Sequence, residues 1–366
     1  MKKKRNIFKK INIFFQHFYK YMETPFSLGN NKSHIYMYPE LRKMNKIMSN
    51  FYRHKDLQII AFDNLVPFKF ETEDGVVIDA MEYITDPKSD KWIISSHWFA
   101  GNKYWALYWA KPFIVLGYNI LVYDFRNHGA SEKSDVTMGL KESYDLLGAM
   151  NWLKNNKKYK TLGLMGVSMG AFTTNYVLAK HHDKLADYKV KFAISDVTYG
   201  SISTLLAHVR NTRFKHSLWK KSTIKVVNAI IKSQSEVTNC DWRDIDIFKY
   251  YEKENVPAKV PTFFSAGAND KVVPFADTYR IFVLRSQKNH DDEILVYDWS
   301  AHTLALKSHH NKQIYHWLKF ENKIIKNDIA TKKALEFFGI SEEFMKKNPE
   351  EKKEIYTLHF NSSESK

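Results

Sequence analysis

The chain holds one cysteine, Cys240, so it cannot form an intrachain disulfide, and a reducing cytoplasmic compartment suits it. It has no apolar run near the roughly 18 residues of a spanning helix. Neither the continuous apolar centre nor the small-residue cleavage site of a signal peptide is visible. No Cys/His cluster has metal-ligand spacing and no Gly-rich phosphate loop occurs, so neither metal nor cofactor is expected. Acidic residues are in deficit, 40 Asp and Glu against 56 Lys and Arg, for a net charge of +16. That excess is spread as single lysines among Asn and Ile, without a groove-reading motif. Weak association with polyanions follows from it, and nucleic-acid recognition does not. No internal repeat interrupts the chain.

What is present begins at the N-terminus. Residues 1–22 carry Lys2, Lys3, Lys4, Arg5, Lys9, Lys10 and Lys20, with no acidic residue before Glu23. Ile7, Phe8, Ile11, Phe14, Phe15 and Phe18 fall on one helical face. Such a basic amphipathic helix, residues 5–19, either lies peripherally on an anionic membrane surface at its inner face or packs its phenylalanines onto the rest of the chain. A second stripe, Leu41, Met44, Met48, Phe51 and Tyr52, is expected to dock beside it.

From about residue 66 to 319, apolar strand runs alternate with helix-like segments. The runs are Trp92–Ser95, Ile120–Tyr123, Leu162–Met165, Phe192–Ser195, Thr262–Ser265 and Ile294–Tyr297. Before them, Phe68–Glu73, Asp74-Gly75 and Val76–Ile78 read as an antiparallel hairpin. The alternation predicts an α/β fold with a mostly parallel central sheet and helices on both faces.

The most informative stretch is Gly166-Val167-Ser168-Met169-Gly170. It follows the apolar run Leu162–Met165 and precedes the helix-prone Ala171–Ala179. A serine on so tight a turn between strand and helix reads as a nucleophile elbow, and Cβ atoms on the flanking glycines would crowd it. Two further residues stand where strands end, the usual place for ligands in open α/β sheets. Asp270 closes the strand–loop Pro261–Pro274, and His302 follows Ile294–Tyr297. Asp196 also follows a strand and is an alternative acid. Among the histidines, His290, His309 and His310 compete with His302 but lie in polar stretches or on the final helix.

These blocks, in this order, resemble the α/β-hydrolase family of serine esterases, lipases and peptidases. Ile93–Lys103, containing His97-Trp98-Phe99-Ala100-Gly101, is similar to the family's strand and His-Gly-x-x-Gly turn. Leu121–Ser131, containing Asp124, Arg126, Gly129 and Ser131, is similar to its Asp-x-Arg-x-x-Gly-x-Ser loop. The resemblance implies an α/β-hydrolase fold and a Ser168/Asp270/His302 triad, with backbone N–H groups of Met169 and Phe99 as the oxyanion hole. Trp98 stands where relatives carry glycine. Either the turn adjusts to it or its ring lines the acyl pocket and touches substrate. His97 and His128 resemble family positions with structural or substrate-side roles.

The domain reading is a helical extension over 1–60, the hydrolase domain over 61–320 and a C-terminal helical extension and tail over 321–366. Within the hydrolase domain an insertion at about 200–259 carries helices at Ser201–Asn211, Ser222–Gln234 and Ile245–Lys253. In this family such an insertion caps the serine. Its basic residues, Arg210, Arg213, Lys215, Lys220, Lys221 and Lys225, form a solvated face or attract an anionic substrate. The implied activity is hydrolysis of a carboxylic ester of a small or medium acyl group. A peptidase, amidase, thioesterase or acyltransferase would use the same triad. The substrate is then a small-molecule ester or peptide. A hydrolase-fold protein that binds a membrane or partner without catalysis is the reading from another class, and the oligomeric state is not legible.

Overall fold

The computed structural model describes residues 40–213, 223–298, 300–341, 343, 345 and 357–361. The amphipathic stripe of residues 5–19 lies outside them, as do Lys215, Lys220 and Lys221. The strands are β1 (Leu65–Glu71), β2 (Val77–Tyr83), β3 (Lys91–Ser96), β4 (Asn119–Tyr123), β5 (Thr161–Val167), β6 (Val190–Asp196), β7 (Thr262–Gly267), β8 (Glu293–Tyr297) and β9 (Thr357–Asn361). They form one sheet in the order β1-β2-β4-β3-β5-β6-β7-β8-β9. β1 pairs antiparallel with β2, and β2 with β4. From β4 to β8 every pairing is parallel. β9 returns antiparallel along β8. This is the α/β-hydrolase fold.

Every residue of β4, β7 and β8 is buried, as expected of parallel strands covered on both faces. Successive side chains enter opposite cores. Ile94, Leu121, Leu164 and Phe264 join one apolar cluster, whereas Ile93, Val122, Met165 and Phe263 join the other. The first cluster is closed by α4 (Glu142–Asn156), α5 (Met169–Lys180), α6 (Ile202–Arg213), α7 (Thr223–Thr238) and α8 (Phe275–Ser286). The second is closed by α1 (Leu41–Tyr52), α2 (Lys103–Trp109), α3 (Lys111–Val115), α9 (Ala305–Ser308), α10 (His310–Ile325) and α11 (Asp328–Phe337).

Three segments differ from the sequence expectation. Phe51 leaves the buried stripe of α1. Leu41, Met44, Met48 and Tyr52 are buried, but Phe51 is 44% exposed. The helix expected over Ile245–Lys253 is replaced by a 3₁₀ turn at Trp242–Asp244 and a π-helical turn at Lys249–Lys253. Asp246 explains the break, because its Oδ1 accepts the Phe248 N–H at 2.9 Å and its backbone bridges to Ser201. A side chain that captures a nearby amide in this way competes with helix. The C-terminal extension is not helical throughout. Thr357–Asn361 forms β9, which covers the otherwise open edge of β8.

Candidate active site

Ser168 sits between β5 and α5 with φ 55° and ψ −113°, a strained conformation that persists only where its surroundings enforce it. Its N–H donates to the Asp196 carbonyl at 2.9 Å. The two glycines of the motif have a steric origin. A Cβ on Gly166 would stand 2.2 Å from the Gly170 oxygen, and one on Gly170 would stand 2.4 Å from the Ser96 oxygen. The elbow therefore closes on itself and presses against the end of β3.

The structure brings His302 and Asp270 to this serine. His302 Nε2 lies 2.9 Å from Ser168 Oγ, and His302 Nδ1 lies 2.8 Å from Asp270 Oδ2. A carboxylate only accepts, so Nδ1 carries the proton and Nε2 offers its lone pair to the serine hydroxyl. The other oxygen of Asp270 accepts the N–H groups of Val272 at 2.8 Å and Val273 at 3.0 Å. His208 and Thr212 of α6 bond the Asp270 and Lys271 carbonyls, each at 2.9 Å. Ser168 and Asp270 are buried and the His302 side chain is 20% exposed.

Asp196, the alternative acid, is not bonded to His302. Its carboxyl bonds Ser265 Oγ, and Ser265 accepts the Gln313 amide at 3.0 Å. Burial pushes its pKa up to about 7, with the negative charge of Asp270 adding to the rise.

The turn after β3 is held by two histidines. Phe125 N–H donates to His97 Nε2 at 3.0 Å, which leaves His97 Nδ1–H to donate to the Trp98 carbonyl at 2.7 Å. Ala100 N–H donates to His128 Nε2 at 3.2 Å, and His128 Nδ1–H bonds the Arg126 carbonyl at 2.9 Å. Burial lowers the His97 pKa to about 3, so the ring stays neutral and keeps this tautomer. Below the turn, Asp124 accepts the Lys103 N–H at 2.7 Å and the Lys103 ammonium at 2.8 Å. Arg126 is clamped between Asp74 and Asp145, at 2.7 Å to each.

Trp98 does not carry the left-handed conformation. Ala100 does, with φ 69°, so tryptophan fits without backbone cost. Its ring packs on Trp105 and Trp109, with centroids at 5.1 and 6.0 Å. Phe99 lies inside the turn closed by Gly101 N–H to the Trp98 carbonyl at 2.8 Å. Met169 opens α5, where the first amides have no intrahelical acceptor and the helix dipole favours negative charge. The turn and the helix start meet because Gly170 lies against Ser96 and His97.

Sequence reasoning missed Tyr52. Its hydroxyl donates to the Thr303 carbonyl at 3.2 Å, beside His302, across 251 residues of chain. Only its place on the apolar stripe of α1 was legible. Among the described residues one further group has metal-ligand chemistry: His54, Asp56 and His310. The His54 and His310 rings stack face to face, 3.6 Å apart and within 6° of parallel. Rings so arranged cannot aim their in-plane lone pairs at one ion. With His310 Nε2 on Asp56 Oδ2 at 2.8 Å, the group instead ties the loop after α1 to α10.

Residues 93–209 match the family model of the alpha/beta hydrolase fold. Together with the sheet order above, this match supports the α/β-hydrolase fold. It is similar to the uncharacterized protein YqkD of Bacillus subtilis (strain 168), 26% identical over 191 residues, or 52% of this chain and 58% of that one. The match thus spans little more than half of that relative's length. Among solved structures, the Pyrococcus furiosus esterase Pf2001 superposes with a TM-score of 0.56 at 24% identity, covering 71% of this chain and 91% of that one. The Pyrococcus horikoshii acylaminoacyl peptidase gives 0.51 at 17% identity, over 71% of this chain and 41% of that one. At these identities the likeness is one of fold. No helix among the described residues is long and apolar enough to cross a membrane.

Proposed function

We propose that the protein is a serine hydrolase that cleaves a carboxylic ester of a small or medium acyl group through an acyl-enzyme intermediate. The observation that carries this reading is the unbroken hydrogen-bond chain from Asp270 through His302 to Ser168 on its strained elbow. A serine hydroxyl is a weak nucleophile at neutral pH and needs a base within reach. His302 takes the Ser168 proton as Oγ attacks the ester carbonyl, then gives it to the departing alkoxide. Asp270 stays ionised, fixes the tautomer and stabilises the imidazolium. The oxyanion is received by the N–H groups of Met169 and Phe99, one such donor being worth about 3–4 kcal/mol of barrier. Water activated by His302 then releases the acid and restores the serine. In this reading α6 and α7, between β6 and β7, act as the cap, and α6 already leans on the Asp270 loop.

A fluorophosphonate probe tests the proposal. Wild-type protein is expected to be labelled at Ser168 and to turn over short and medium p-nitrophenyl esters, with both signals lost in Ser168→Ala. A folded wild type that takes up no probe would overturn it.

A further inference from the structure

An aromatic group bridges the two loops that flank Ser168. Trp98 precedes Phe99 in the turn after β3, and its ring touches Trp105 and Trp109 of α2. Tyr52 of α1 touches the same two rings, with centroids at 5.9 and 6.0 Å, and its hydroxyl reaches the Thr303 carbonyl next to His302. Phe51 adds a further ring, 6.1 Å from Trp105 and nearly perpendicular to it. Here Tyr52, Tyr108 and Trp109 are fully buried, whereas Trp98 and Trp105 are half-buried and Phe51 is 44% exposed. The Lys307 ammonium stands 4.6 Å from the Phe51 ring centre and makes the outer edge cationic.

We infer that Phe51, Trp105 and Trp98 form a shelf that receives the apolar acyl chain of the substrate. Medium-length acyl chains are then preferred over acetyl, because a longer chain reaches the rings and removes apolar surface from water. The inference rests on the hydrolase reading above and names its substrate class.

The measurement is the ratio of kcat/KM for p-nitrophenyl octanoate to that for the acetate. Phe51→Ala, at an exposed position, is expected to lower this ratio at least fivefold, and Trp105→Ala to lower it further. Ile329→Ser, on the exposed side of α11, serves as control and leaves the ratio unchanged. An unaltered ratio in folded Phe51→Ala and Trp105→Ala proteins would sink the shelf. A second readout does not require turnover. Decanoate binding to Ser168→Ala, followed by calorimetry, is expected to weaken at least fivefold when Phe51→Ala is added. If wild type neither hydrolyses esters nor takes the fluorophosphonate but decanoate binding shows this loss, hydrolysis falls and the shelf stands. Equal binding with and without Phe51 overturns the shelf itself.

Discussion

Two buried carboxyl groups lie close to His302, and their surroundings assign them different work. Asp270 accepts two backbone amides and the imidazole N–H, so its charge is stabilised where it sits. Asp196 has one oxygen on Ser265 and its other buried without a partner. Asp270→Asn is therefore expected to lower kcat by about 10³–10⁴-fold, as loss of the correct tautomer does in other triads. Asp196→Asn is expected to cost less than about tenfold by the same argument, and steady-state kinetics on one ester separates the two. The pKa of Asp196 adds a stability test. It rises from the ordinary carboxyl value near 3.8 to about 7 on folding, mainly through burial. The folded state then binds the proton more tightly than the unfolded one. Stability from this group is present below the unfolded pKa and falls as pH rises toward 7, with no further loss above it. Asp196→Asn should flatten that decline, so that its gain in Tm over wild type is larger at pH 8 than at pH 5.

At the scale of elements, α1 is tied to the domain by its apolar face and by the stacked His54–His310 pair. Burial, and then the charge of His310, lower the His54 pKa from 6.5 to about 4. A group with a depressed folded pKa favours folding in its neutral form. Its contribution is present above pH 6.5 and is lost as pH falls toward 4. Hydrogen exchange of the α1 amides should therefore accelerate between pH 6.5 and 4, ahead of the sheet, and His54→Gln should remove this acid sensitivity. An α1 that exchanges in step with the sheet across that window would contradict the coupling. Elements also show what a single sequence exposes. The six apolar runs became β3 to β8 because parallel strands buried on both faces need no pattern beyond continuous hydrophobicity. The meeting of Ser168, His302 and Asp270 could be anticipated because each follows the end of one of those runs. Asp246 ended the expected third helix of the insertion through a side-chain bond that periodicity does not register. Tyr52 and Thr303 meet only when α1 folds over α2, and nothing local to either residue announces the contact. The tautomers of His97 and His128 likewise depend on amides from other loops.

For the molecule as a whole, the residues of the proposed site and those that hold them run from Tyr52 to Gln313. The parallel strands supply the platform and their ends carry the proposed triad, while α1 packs on the second core. Leu41, Met44, Met48 and Tyr52 are buried there against a core shared with Leu107, Tyr108 and Trp109. At about 1.5–3 kcal/mol for each fully buried large side chain, that docking is a substantial part of the marginal stability of a domain. A chain shortened to begin at Leu57 is therefore expected to melt well below the full-length protein, and its catalysis should fail for a second reason. The Thr303 carbonyl loses the Tyr52 hydroxyl, so the loop carrying His302 loses its brace. Tyr52→Phe in the full chain isolates that second effect. It keeps the ring and the packing and removes two hydrogen bonds, the one donated to Thr303 and the one accepted from Trp109 Nε1 at 3.2 Å, each worth about 1 kcal/mol. Its Tm should stay within a few degrees of wild type, while kcat falls several-fold and KM changes little. A Tyr52→Phe enzyme with unchanged kcat would confine α1 to packing and leave the histidine loop supported by the sheet alone.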